Sequence, residues 1–163
     1  MRGRPTLVVA VTALGLASCG SGSSGAETLP DVDVIRITDG EVISASDLDG
    51  PAVVNLWATY CAPCRAEMPA FEQVANDIGD QVRFIGVNEG DDAASAQAFL
   101  DEVGVTFDQY LDANGALTDA LRVTALPATV VVDADGAVLT VHSGALDEQG
   151  IRDLVADHLT AAP

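Results

Sequence analysis

Trp57-Ala58-Thr59-Tyr60-Cys61-Ala62-Pro63-Cys64-Arg65-Ala66-Glu67-Met68-Pro69 is the stretch on which the reading of this chain turns. Just upstream, the apolar run Ala52-Val53-Val54-Asn55-Leu56 reads as a strand buried on both faces. Just downstream, Met68, Phe71, Val74, Ala75 and Ile78 recur at helical spacing, with Gly79-Asp80 as the stop. Cys61 and Cys64 therefore fall at a strand-to-helix junction. A helix N-terminus carries partial positive charge and unpaired N–H groups, and both favour a thiolate. Cys61 is the expected nucleophile. Cys64 lies one turn on, on the buried side, where it can attack a mixed disulfide from within. Lowering the Cys61 pKa by about 1.5 units would stabilise its thiolate by roughly 2 kcal/mol.

A Cys-x-x-Cys pair is also half of a zinc site, but zinc asks for four ligands, usually with a second close pair. Only Cys19, His142 and His158 remain as candidates, and they show no such pairing. The expectation is a redox pair, with no metal and no cofactor.

The rest of the chain sets the context. Arg2 and Arg4 give a basic start, and Leu7 to Leu16 is a short apolar run, too short to span a bilayer and suited to a signal peptide over 1–18. Leu16-Ala17-Ser18-Cys19 resembles a bacterial lipobox, which would make Cys19 a lipidated first residue. Residues 19–30 then form the lipidated cysteine and a Gly/Ser-rich linker whose flexible part reaches roughly 15–20 Å. Residues 31–163 suffice for one domain with one core. Cys61 and Cys64 are its only cysteines, and export would put their oxidation state under the control of partners.

Every basic residue is Arg. Without residues 1–18 the chain keeps five arginines against 25 acidic residues, a net charge of −20. Such a surface argues against nucleic acid and anionic lipid headgroups as targets. It reads as a solvated acidic shell.

Further strands are expected at Val32–Ile37, Glu41–Ile43, Val82–Val87 and Thr106–Leu111, and helices at Ala93–Val103 and Ala116–Leu121. Asp135-Gly136 turns a hairpin between Thr129–Asp133 and Ala137–Val141. Ile151, Leu154, Val155 and Leu159 mark a closing helix. Pro69 should kink the helix after the cysteines. The Asp112 and Asp133 turns lack the glutamate that would complete a calcium loop. Glu89-Gly90-Asp91-Asp92 reads as an exposed loop and helix cap. A parallel start and an antiparallel finish give a mixed α/β sheet.

With these pieces in place, Val54-Asn55-Leu56-Trp57-Ala58-Thr59, Cys61-Ala62-Pro63-Cys64, Arg65-Ala66-Glu67-Met68-Pro69 and Val123-Thr124-Ala125-Leu126-Pro127-Ala128-Thr129 together resemble the thioredoxin superfamily, most closely its TlpA/ResA/DsbE-like membrane-tethered branch. The resemblance covers about Asp31 to Leu159. It implies a thioredoxin fold, a central mixed sheet flanked by helices, with an N-terminal strand or hairpin extension and an insertion before the cis-proline half. Pro127 would be that cis-proline, with Leu126 offering its backbone to an extended substrate. Trp57, Tyr60 and Pro63 would complete the substrate contacts, Tyr60 standing where Trp is usual. Asn55 replaces the buried Asp of thioredoxins, and an amide cannot carry the proton. Glu67, three residues after Cys64 on the same helix, is the expected substitute. The resemblance further implies an extracytoplasmic, lipid-anchored thiol-disulfide oxidoreductase that reduces exported cysteine-containing proteins such as apocytochrome c, supplied by a DsbD/CcdA-type membrane partner. A DsbE/DsbF-like thiol oxidase shares these motifs, and a redox-inert peptide-binding module shares the fold.

Overall fold

The computed structural model describes residues 28–48 and 50–159. The signal, lipobox and most linker residues, Cys19 included, lie outside these. Eleven elements follow one another: β1 (Asp33–Arg36), β2 (Val42–Ser44), β3 (Ala52–Trp57), α1 (Ala62–Ile78), β4 (Arg83–Glu89), α2 (Ala93–Val103), β5 (Asp108–Asp112), α3 (Ala116–Ala120), β6 (Ala128–Val132), β7 (Val138–Ser143) and α4 (Glu148–Leu159). A short 3-10 turn, Ala45–Asp47, follows β2 and is capped by Ser44. The seven strands form one sheet in the order β2-β1-β5-β4-β3-β6-β7.

β3 is the axis of the sheet. It pairs in parallel with β4 and antiparallel with β6, and all six of its residues are buried. That explains its unbroken apolar run, since helices or loops cover both faces. Alternation sends Val54 and Leu56 to one side, among Ile85, Tyr110, Leu117 and Val130. Val53 and Trp57 go to the other, where Val53 packs with Phe71, Val74, Ile151 and Val155 of α1 and α4. The crossovers β3-α1-β4 and β4-α2-β5 step the same way across the sheet. Parallel crossovers are right-handed, so α1 and α2 come to one face. Trp57, Met68 and Phe99 share a core there.

The strands β4-β3-β6-β7 with α1, α3 and α4 make the thioredoxin arrangement. The crossover α2–β5 is the insertion expected before the cis-proline half, and β1–β2 is the expected N-terminal hairpin. β1 pairs antiparallel with β5, so the extension rests on the insertion rather than on the central strands. α1 runs unbroken through Pro69. The Asp133 carboxylate accepts the N–H of Asp135 and of Ala137, both at 2.9 Å, and Gly136 takes φ +82°, so the β6–β7 connection is a turn held by its own side chain. Beside this turn, Thr28 forms a bridge to Ala137, tying the start of the described chain to the sheet edge. No helix among the described residues is long and apolar enough to cross a membrane.

Candidate active site

Cys61 is the N-cap of α1 and is joined to Cys64 by a disulfide, with S–S 1.99 Å and Cα atoms 5.3 Å apart. The Cys64 N–H donates to the Cys61 sulfur at 3.3 Å, so one otherwise unpaired amide of the helix start already faces the sulfur on which negative charge would develop. Pro63 sits in the first turn, where its missing N–H leaves no gap. Cys61 is 8 % exposed and Cys64 is fully buried, so only the first sulfur can be reached from outside.

The loop entering the helix is fixed from a distance. The Asp91 carboxylate, just beyond β4, accepts the Thr59 N–H and hydroxyl and the Asn88 side-chain amide, each at 2.7 Å. Asn88 returns the contact by accepting the Asp91 N–H at 3.2 Å. Asp92 caps α2 by accepting from the Ser95 hydroxyl and N–H, which holds its own carboxyl below the usual range. Of the stretch expected to be a loop and a cap, Asp92 is the cap and Asp91 is a strut under the cysteine loop.

Glu67 lies one turn beyond Cys64 and is only 4 % exposed. Its Oε1 accepts from the Asn55 amide at 2.8 Å, and its Oε2 from the Leu146 N–H at 2.9 Å. Burial pushes its carboxyl up to about 7, although both hydrogen bonds pull the other way. The side chain lines a groove of about 590 Å³ with Pro63, Ala66, Ala70, Leu146 and Asp147. A buried carboxyl that changes charge near neutrality thus has an outlet to solvent.

Trp57, expected among the substrate contacts, is fully buried. As the last residue of β3 it turns inward: its Nε1 donates to Gln109 at 3.0 Å, and its ring meets Phe99 at 5.4 Å between centroids. The Arg65 guanidinium lies 4.2 Å over the same Phe99 ring and faces Glu102 at 3.6 Å. The one cation in the first turns of α1 is therefore engaged on the α2 side.

The Leu126–Pro127 bond is cis, as is Gly50–Pro51. Pro127 is buried and Leu126 half-buried. The Leu126 backbone makes no backbone hydrogen bond among the described residues. It borders a second groove, about 450 Å³, lined also by Tyr60, Cys61, Pro63, Glu89 and Thr124. Tyr60 is 69 % exposed. Tyr60, Pro63 and Leu126 are thus brought together around the outer sulfur. His158 is exposed and His142 half-buried; neither lines this groove. The Asp112 carboxylate, the other calcium-like turn, accepts the Leu117 and Thr118 N–H groups and so starts α3.

Asp91 and Gln109 hold the site from positions that the sequence pattern does not mark. Each acts across strands or loops far apart in the chain, and neither periodicity nor a local motif marks such partners.

A thioredoxin-type sheet that presents a Cys-x-x-Cys disulfide at a helix start, beside a cis-proline, defines a thiol-disulfide oxidoreductase. The chain belongs to the AhpC/TSA family, whose model matches residues 26–141. It is 31 % identical over 154 residues to the thiol-disulfide oxidoreductase ResA of Bacillus subtilis, covering 90 % of this chain and 86 % of that one. It is 33 % identical to the thiol:disulfide interchange protein DsbE of Pseudomonas fluorescens, covering 78 % and 71 %. Among solved structures, MTB DsbF in its mixed oxidized and reduced forms superposes with a TM-score of 0.71 at 30 % identity, covering 80 % of this chain and 98 % of that one.

Proposed function

We propose that this oxidoreductase works outside the cytosol as a disulfide reductase. The reduced Cys61 thiolate attacks one sulfur of a client disulfide. A Cys61–client bond forms, and the other client sulfur leaves as a thiolate that takes up a proton. Cys64, losing its proton to Glu67, then attacks Cys61. The client's second thiol is released, two electrons have passed to it, and the Cys61–Cys64 disulfide remains. A membrane-bound dithiol donor, the DsbD/CcdA-type partner, restores the pair. Pro127 and the Leu126 backbone receive the client segment, with Tyr60 and Pro63 beside it.

The observation that carries the direction is the charge around the pair. A redox protein is a strong oxidant when its reduced, thiolate form is stabilised. Here the helix start offers the equivalent of about half a positive charge. Against it stand the Glu67 carboxyl and Glu89, among the described residues the one charged side chain lining the groove beside Cys61. Arg65, which could have tipped the balance, is held on Phe99 and Glu102. The balance favours the disulfide of the protein and hence electron donation. Equilibration with glutathione or dithiothreitol should give a potential near the thioredoxin end, about −270 mV, and a value near −120 mV would make the protein an oxidase instead.

Apocytochrome c, with its paired haem-site cysteines, is the proposed client. Residues 1–18 are proposed to be a cleaved signal and Cys19 the lipid-bearing residue of an anchored, extracytoplasmic protein, with 19–30 as linker and 31–163 as the working domain. Several acyl chains hold firmly where one holds only marginally. Cys19→Ala should move the protein from the membrane to the soluble fraction, and retention on the membrane would exclude the lipid anchor.

A further inference from the structure

The groove beside Cys61 is open, bordered by an unused backbone segment at Leu126, and otherwise built from uncharged side chains. Glu89 is the exception. It ends β4, in direct parallel register with Asp112 at the end of β5. Its side chain is half-buried and forms no hydrogen bond or ion pair among the described residues. A β-carbon placed on Gly115 would come 3.7 Å from its Oε1, which puts the carboxylate against the start of α3. Asp112 is fully buried there, and one of its two oxygens has no partner. Asp119 adds a third negative charge to the field. The result is a carboxylate that lines the client groove with the like charges of Asp112 and Asp119 behind it.

We infer that Glu89 is a specificity-determining residue, which selects client segments carrying an arginine or lysine beside the cysteine being exchanged. The inference rests on the oxidoreductase reading and adds a substrate class to it. Three properties of the site act together. A cationic side chain laid in this groove would give Glu89 the partner it lacks. It would also relieve the repulsion from Asp112 and Asp119, which, after burial itself, is what raises the Glu89 carboxyl above its usual value. And it would find Tyr60, 69 % exposed in the same groove, as an aromatic face. An acidic client segment would meet Glu89 with the like charges of Asp112 and Asp119 behind it, and like charges brought together are how an interface rejects the wrong partner.

The test uses the full-length protein, reduced beforehand, and short synthetic disulfide peptides that differ only in the residue beside the first cysteine: Arg, Gln or Glu. Exchange is followed by the fluorescence of the single tryptophan, Trp57, which packs in the same core as both cysteines. The Arg peptide should react about five-fold faster than the Gln peptide, the scale of one partly screened ion pair, and the Glu peptide slower than both. Glu89→Gln should erase the Arg advantage. Asp157→Asn, which removes one charge from the far end of α4, should keep it. In the unmodified protein, raising the ionic strength should close the Arg–Gln gap, a readout that does not depend on how any variant folds. A gap that is absent, that survives Glu89→Gln, that disappears equally in Asp157→Asn, or that ignores salt overturns the role of Glu89 while leaving the oxidoreductase intact. No exchange with any peptide overturns the oxidoreductase reading itself, and the specificity with it.

Discussion

Replacing Glu67 by Gln should flatten the pH dependence of stability in the disulfide form. The Glu67 carboxyl rises from 4.5 in the open chain to about 7 in the folded protein, because burial disfavours its charge. At 1.36 kcal/mol per pKa unit, that is a difference of about 3 kcal/mol. The sign follows from proton counting. Between these two values the folded protein holds a proton that the unfolded chain has released, so folding loses stability as pH rises. The contribution is intact below pH 4.5 and gone once pH has passed about 7. Glutamine is nearly the same shape, can still accept one of the two hydrogen bonds now made to Glu67, and brings no charge. Its new N–H group also lies close to Asn55, whose Oδ1 is buried without a partner. Urea unfolding at pH 5 and pH 8 should therefore show the unmodified protein losing about 2.5 kcal/mol more than Glu67→Gln over that interval, part of the effect being lost already by pH 5. The other carboxylates titrate alike in both proteins and cancel in the difference. Parallel stability curves would refute the reasoning. If Glu67 also takes the Cys64 proton, the variant should lose the inflection near neutrality in its exchange rate; unchanged rates and cysteine pKa values would remove it from the chemistry.

Asp91→Ala leaves the Thr59 N–H, the Thr59 hydroxyl and the Asn88 amide without their common acceptor. It should cost about 2 kcal/mol in chemical unfolding and slow exchange, with Asp91→Asn restoring part of both; equal behaviour of the two variants would argue against a positioning role. Phe71→Ala, in the core between α1 and α4, should cost about 3–5 kcal/mol and leave the redox potential where it was, because the side chain is fully buried and packs away from the sulfurs. With a net charge of −18 at neutral pH, the unfolding midpoint should rise on going from low to high salt as self-repulsion is screened; a salt-independent midpoint would dismiss the acidic shell as a destabilising field.

What the sequence made legible was what repeats locally. The continuous apolar run of β3, the helical spacing of Met68, Phe71 and Val74, and the Asp135-Gly136 turn each state their own geometry within a few residues. Cys61, Cys64 and Glu67 were legible because they share one helix whose start was plain. The full burial of Trp57 is not legible in the same way, because strand alternation decides which face a residue takes but not whether its far end reaches the surface. Here Gln109 on β5 supplies the indole with an internal acceptor, 52 residues away. Asp91 was read as part of an exposed loop for the same reason: its partner Thr59 is remote in sequence, and two adjacent aspartates look alike until the fold assigns one to a helix and the other to a loop.

The bridge between Thr28 and Ala137 has a bearing on how such a molecule meets its surroundings. β6 leaves the cis-proline at Ala128 and ends at Val132, beside the turn that holds Ala137, so its five residues carry the chain roughly 17 Å from one pole of the sheet towards the other. The described chain therefore begins at the pole opposite the sulfurs. Were lipid fastened at Cys19, the molecule would stand like a buoy on its mooring, its reactive crown turned outward to passing proteins and its stem toward the bilayer.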